Sequence, residues 1–292
     1  MVIHIKVPKE FSYDLSLAFL TRSAKEPMHI VADRVVRKLI RVGDDRVLFQ
    51  VSEGKDSLHV DILSEGHQEH VIEYVKEYIH EWFDLGTDLT PFYALAKKDE
   101  VLKPIVKKFH GYRIMGQPDL FESLIWAVLG QQINVAFAYS IKQRFVERFG
   151  ERLVHGSHTY YLFPTPERVS ELTNEDLLPL QFSRQKSNYT IGIAQAFANK
   201  QVSRQMFHGR PLSEAKEELM KIKGIGNWTA NYALMRTFRY PDAFPLEDVA
   251  LHKALRIQMN MRAKPSLDRV KKIFRKYKGW EAYATLYLWK SL

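Results

Sequence analysis

Cysteine is absent from this 292-residue chain, so disulfides, thiolate zinc sites and cysteine-held iron–sulfur clusters are excluded at the outset. No apolar run approaches the roughly 18 residues that a membrane-spanning helix needs. The opening MVIHIKVPKE lacks the charged-then-apolar pattern of an export signal, so the cytoplasm is the expected compartment. Internal repeats, low-complexity tracts and heptad runs are lacking too. What is present is a composition 46% hydrophobic and 12% aromatic, enough to bury a substantial core in one large or two ordinary domains.

Charge is unevenly spread. Residues 1 to 100 hold 13 Lys and Arg against 18 Asp and Glu, whereas residues 101 to 292 hold 30 against 16. A basic excess confined to one part suggests a polyanion met by that part, and nucleic acid is the commonest soluble polyanion. Solubility alone is the plainer reading of the same numbers.

The first segment alternates strand-like runs (HIKV, HIVADRVVRKLIRV, RVLFQVS, SLHVDIL) with turn clusters such as GDD and SEGKDS, as a small antiparallel sheet does. One helix closes it: in HVIEYVKEYIHEWFDL, Val71, Ile72, Val75, Tyr78, Ile79, Trp82 and Phe83 recur with a helical period. GTDLTP, residues 86 to 91, marks the boundary, dividing the chain into a sheet-plus-helix unit at 1–88 and a helical region at 89–292. Beyond it the patterns predict helices over 119–149, 166–172, 174–180, 184–199, 213–222, 227–239, 246–259, 266–277 and 280–290, with almost no strand signal. The fold class is therefore α+β. Thr165 with Pro166 reads as a helix start, and Thr173 with Asp176 as a capping box.

Within EELMKIKGIGNWTANYALM, Gly224 and Gly226 flank Ile225 between two helical stretches, a helix–hairpin–helix pattern. Such glycines tolerate positive φ and let the backbone approach a ligand, while the second helix offers free N–H groups and the positive end of its dipole to a phosphate. Taken alone, G-x-G before a helix is equally the mark of a structural turn. Two neighbours alter the balance. PDAFPLEDVALHKAL places Asp248 in the opening turn of a further helix, where a carboxylate is favoured in its ionised form. Trp228, Tyr232, Tyr287 and Trp289 form an aromatic set, although aromatics at helical spacing are more often core.

Taken jointly, these features resemble the helix–hairpin–helix (HhH-GPD) superfamily of base-excision DNA glycosylases, in particular its bacterial 3-methyladenine DNA glycosylase II branch. The blocks that carry the resemblance are FDLGTDL, LIWAVLGQQINVAFA, FPTPERV, IKGIGNWTANYALMR, DAFPLEDVALHKAL and WEAYATLYLWK. It implies a sheet-bearing N-terminal domain, then a helical core of two subdomains with a cleft between them. It also implies a monofunctional enzyme that flips alkylated purines such as 3-methyladenine or 7-methylguanine out of double-stranded DNA and hydrolyses their glycosidic bond in base excision repair. Asp248 falls at the family's catalytic carboxylate, and Trp228, Tyr232 and Trp289 at its stacking aromatics, to which Tyr287 is added as a pocket residue. Lys223, Gly224, Ile225, Gly226 and Thr229 are the expected phosphate-gripping hairpin.

Relatives that cleave the backbone through an imine carry a lysine where this chain has Trp228, so base release without strand cleavage is expected. The family's wedge, a leucine in the glycosylase II branch, is replaced by Gln132, and either Gln132 or Ile133 would fill the gap in the duplex. No cofactor is expected beyond a structural monovalent cation on hairpin carbonyls, and the partner is damaged duplex DNA on the nucleoid, met by a monomer. His67 and His70 in GHQEH are spaced loosely like metal ligands but lack a second pair. Asp242 reads as a turn residue, and Glu247 as a neighbour of Asp248 pointing elsewhere. The alternatives are a glycosylase for another lesion (hypoxanthine, ethenoadenine or 8-oxoguanine) and a hairpin protein that binds DNA without turnover.

Overall fold

Five strands, β1 (Val2–Lys6), β2 (Ile30–Ala32), β3 (Val35–Val42), β4 (Asp45–Gly54) and β5 (Ser57–Ile62), pair antiparallel in the order β1-β5-β4-β3-β2. The computed structural model describes residues 2–64 and 68–292, so His67 lies outside the described residues. The run 29–42, a single strand signal in the sequence, is two strands. Asp33 and Arg34 at φ 50° and 62° form the tight turn between β2 and β3, in the two positive-φ positions that a two-residue hairpin requires.

One sheet face carries Val36, Ile40, Val47, Phe49, Val51, Leu58 and Val60, all buried beneath α2 (Glu69–Trp82), which presents Val71, Val75, Ile79 and Trp82. The expectation of one helix here is corrected: α1 (Tyr13–Leu20) also packs on this face. Its signal was in the sequence, since Ser12 caps it and Tyr13, Leu17 and Leu20 fall at helical spacing.

The helices continue as α3 (Thr90–Lys97), α4 (Leu102–Lys108), α5 (Leu120–Gly130), α6 (Val135–Phe149), α7 (Pro166–Ser170), α8 (Asn174–Leu177), α9 (Arg184–Ala198), α10 (Leu212–Met220), α11 (Asn227–Phe238), α12 (Val249–Gln258), α13 (Leu267–Phe274) and α14 (Glu281–Lys290). Helices α3 and α4 escaped the sequence reading. The predicted helix 119–149 is broken into α5 and α6, because Gln132 adopts φ 57° and Asn134 caps a new start by accepting from the Phe137 N–H at 2.8 Å. Thr165 caps α7, and the Asp176 carboxylate accepts from the Thr173 N–H at 2.8 Å, as expected.

A second correction is the hairpin β6 (Arg152–His155) and β7 (His158–Tyr161) within the helical region. Tyr160 and the following Leu162 bury Leu39 and Leu48 on the other face of the five-stranded sheet, so the sheet is covered on both sides. The helices share two apolar cores. One gathers α3, α4 and α12–α14 with parts of α5, α6 and α11; the other gathers α5–α11. Arg113, 2% exposed, ties the sheet unit to them through Glu10 at 2.7 Å and the Thr87 carbonyl at 2.8 Å.

Candidate active site

The hairpin turn joins α10 to α11. Gly224 has φ 99°, and a Cβ there would stand 2.4 Å from the Tyr189 ring, so both the backbone and the packing demand glycine. Gly226 differs. Its φ is −91°, and a Cβ would meet no atom within 4 Å. Nothing within the protein requires glycine at this exposed helix start, which leaves room for a ligand to press against the backbone. Lys223 is exposed on the turn, and Ile225 anchors it in the core.

Thr229 does not face outward. It is 2% exposed, and its hydroxyl accepts from Gln131 Nε2 at 3.0 Å, while the same amide donates to the Gly224 carbonyl at 3.2 Å. The side chain of Thr229 is thus a brace behind the turn, corrected from a phosphate contact, and Gln131 is its unforeseen partner. Gln132, exposed, and Ile133, half-buried, line one open groove with Gly224, Ile225 and Gly226. The structure therefore sets both wedge candidates beside the hairpin.

Asp248 is the N-cap of α12. Its Oδ1 accepts from the Leu251 N–H at 2.7 Å and from Trp289 Nε1 at 2.8 Å, and its Oδ2 accepts from Trp228 Nε1 at 3.1 Å. Three N–H donors from α11, α12 and α14 thus hold one partly exposed carboxylate in a single orientation. Trp228 in turn stacks on Tyr232, ring centroids 5.3 Å apart and planes 20° from parallel, and Tyr232 lies 6.3 Å from Trp289. Neighbouring polar contacts lock the segments together. Asn227 Nδ2 donates to both Glu247 oxygens at 2.9 and 3.0 Å, and Asn231 Oδ1 accepts from the Phe244 N–H at 3.0 Å. Glu247 therefore serves as a clamp to the hairpin helix, and Asp242 sits exposed in a turn.

Tyr287 does not join this group. It is fully buried, packed on Phe92 and Tyr112 with its hydroxyl 3.5 Å from that of Tyr93. Tyr287 and Trp289 are two residues apart on α14, and about 200° of helical rotation sends their side chains to opposite faces. The sequence placed both in the pocket; the geometry keeps only Trp289 there. In exchange it brings in Trp126, whose Nε1 donates to the Tyr232 hydroxyl at 3.0 Å, and Phe19 from the sheet unit, packed on the same core. Among the described residues no three His, Asp or Glu side chains converge as metal ligands, and no helix is long and apolar enough to cross a membrane.

A carboxylate held between two indoles, one turn from a glycine hairpin that opens a helix, has counterparts in known proteins. Residues 125–279 match the model of the HhH-GPD superfamily of base excision DNA repair proteins, and residues 26–124 match the 8-oxoguanine DNA glycosylase N-terminal domain. The chain belongs to the HhH-GPD superfamily. It is 44% identical to the DNA-3-methyladenine glycosylase of Bacillus subtilis, over 100% of this chain and 97% of that one. It is 26% identical to DNA-3-methyladenine glycosylase 2 of Escherichia coli, over 95% and 93%. Its fold superposes on a 3-methyladenine DNA-glycosylase from Archaeoglobus fulgidus with a TM-score of 0.85 at 22% identity, covering 99% of this chain and 97% of the other.

Proposed function

We propose that this protein is a monofunctional DNA glycosylase that hydrolyses the N-glycosidic bond of alkylated purines, of the 3-methyladenine and 7-methylguanine type, in double-stranded DNA. The observation that carries the reading is the convergence of three N–H donors on Asp248, with its remaining lone pairs directed to the partly open side of the site.

The hairpin would take a DNA phosphate on the free N–H groups at the start of α11, a contact that positions the duplex without reading its sequence. Gln132 or Ile133, next to it, would occupy the space left when the damaged nucleotide flips out. The everted sugar would come to lie over Asp248. An alkylated purine that is already cationic leaves without further protonation, so the costly event is the positive charge that builds on the deoxyribose. The fixed carboxylate stabilises that charge and takes the proton of the water that adds to C1′. Trp228 and Trp289 have two tasks here: their N–H groups aim the carboxylate, and their rings border the space for the base. A cationic base against an aromatic face gains about 0.5–2 kcal/mol per contact.

An indole at Trp228 offers no amine, so no imine forms with the sugar and the product is an abasic site. The cation implied at the hairpin would use main-chain carbonyls. Those of Ile222, Gly224 and Gly226 accept bonds from Ile225, Gln131 and Ala230, and each has a second lone pair for such an ion. Its contribution would be to stiffen the turn. One experiment tests the proposal: the protein is incubated with methylated duplex DNA without added metal, and the released bases are identified by chromatography. Free 3-methyladenine and 7-methylguanine are expected; intact bases and unbroken glycosidic bonds would refute it.

A further inference from the structure

Helix α11 carries Arg236 on the same face as Trp228 and Tyr232, two turns or about 12 Å along from Trp228. Its side chain is nearly sealed at 4% exposure, and among the described residues its Nε has no hydrogen-bond partner. The guanidinium lies 4.7 Å from the ring centroid of Phe19 and 5.9 Å from that of Tyr232. Arg22, from the sheet unit, sits 3.8 Å over the same Phe19 ring and donates from Nε to the Tyr139 hydroxyl, with part of its surface open to solvent. Both arginines line one cavity between the sheet unit and the helical core, together with Phe19, Trp126 and Gln117.

Two carboxylates reach that cavity, Glu26 and Glu122, and Lys142 Nζ takes both, at 2.9 and 3.1 Å. Lys38 Nζ donates to the Met28 carbonyl. No carboxylate bonds Arg22 or Arg236 among the described residues, so the Phe19 end of the cavity holds two cations without an ion-paired anion. Burial pulls the Arg236 pKa down from its ordinary value. Buried charge of one sign is costly to the fold, and an acceptor-rich ligand edge would offset it.

A nucleotide with C1′ at Asp248 would send its base past Trp228 and Tyr232, far edge toward this cavity. The purine edge richest in acceptors is O6 with N7, which a guanidinium matches with two parallel N–H groups. A 6-aminopurine turns a donor toward the same groups, and a cationic one adds repulsion.

We propose that Arg22 and Arg236 are specificity-determining residues of the base pocket, donating to O6 of an everted 6-oxopurine, so that the protein releases hypoxanthine as well as alkylated purines. This rests on the reading of Asp248 as the catalytic carboxylate. A neutral base departs with the electron pair of the C1′–N9 bond, as an anion delocalised onto O6 and N7. Two guanidinium groups at that edge stabilise it as the bond breaks. The water oxygen bonds to C1′, its proton passes to Asp248, and a proton then returns to the base. The sum is hydrolysis, with nothing else consumed.

The test measures single-turnover release of hypoxanthine and ethenoadenine from otherwise identical duplexes, and of 3-methyladenine from methylated DNA. Ethenoadenine is neutral but lacks O6, so it separates the oxygen from the charge. Arg236→Met and Arg22→Met, which keep the apolar stem, should each lower hypoxanthine release at least about tenfold and leave ethenoadenine and 3-methyladenine release unchanged or faster. Arg236→Lys should fall between. Equal losses on all three bases in a variant with wild-type melting temperature would overturn the proposal, as would a wild-type protein that frees 3-methyladenine but no hypoxanthine. If Arg236→Met does not fold, Arg22→Met carries the test from the open side of the cavity. Failure of the wild type to free any base would sink the glycosylase reading itself.

Discussion

Replacing Asp248 with asparagine is the sharpest perturbation of the site, because the two side chains have the same shape and differ in what they accept. The carboxylate takes two donors at Oδ1 and one at Oδ2. An amide has one oxygen. With that oxygen at the Oδ1 position, Leu251 and Trp289 stay bonded and the NH2 group confronts Trp228 Nε1; the reverse orientation loses both. The better choice forfeits one hydrogen bond to a charged group, about 1.5–3 kcal/mol of stability, which a domain of ordinary stability survives. Catalysis suffers more. A carboxylate about 4 Å from the oxocarbenium carbon contributes about 4 kcal/mol at an effective dielectric constant near 20, or about 10³ in rate. Loss of the proton acceptor adds to that. Single-turnover base release from methylated duplex should therefore fall at least about 10³-fold, while affinity for an abasic-analogue duplex changes only a few-fold. Release within tenfold of wild type, in a folded variant that still binds, would refute the reasoning.

The two hairpin glycines should separate fold from binding. Gly224→Ala meets positive φ and the Tyr189 ring and should cost about 1–3 kcal/mol in urea denaturation. Gly226→Ala should leave stability within about 0.5 kcal/mol yet weaken duplex affinity, and unchanged affinity would contradict a phosphate there. Acid should destabilise the junction of sheet unit and helical core. Burial holds His29 near 4 against an ordinary 6.5, so the stability it contributes is complete above pH 6.5 and is lost as pH falls toward 4. Burial raises Glu26, but the Lys142 ammonium outweighs it and brings the carboxyl to about 2, so that contribution is lost between 4.5 and 2. Each amounts to about 3 kcal/mol at most. Denaturation curves from pH 7.5 to 4 should show the upper loss, and His29→Gln should flatten it; a wild-type profile flat over that range would count against both assignments. Borohydride should trap no covalent protein–DNA adduct. A trapped adduct that disappears in Lys186→Gln would instead make an imine-former of that groove lysine, whose pKa burial lowers to about 8.

The sheet, its covering helix and most of the helical succession were legible because periods of 2 and 3.6 register directly which side chains a core must take. Helices α3 and α4 were not read because they are short, and their buried faces belong to a core completed only by α12–α14, far along the chain. The β6-β7 hairpin escaped for a like reason: its two strands are 4 residues each and bury Tyr160 against Leu39 and Leu48 of a different sheet. At the site, Gly224, Gly226 and Asp248 stood out as local chemistry, a turn and a helix start, and the family resemblance linked them to Trp228 and Trp289.

By itself, then, the sequence determined the α+β class, the exclusion of cysteine chemistry, the glycine hairpin and the carboxylate at a helix start, all properties of composition or of neighbours within a turn or two. Only the tertiary structure decided that both indoles donate to Asp248, that Thr229 braces while Gly226 stays open, and that Tyr287 belongs to the core. It alone brought Arg22 of the sheet unit over Phe19 beside Arg236 of α11. The physical reason is range. Turn and helix signals are set by residues a few positions apart, whereas the orientation of a side chain in a pocket is set by packing between segments separated by 20 to more than 200 residues, and local propensity carries no information about which of them meet.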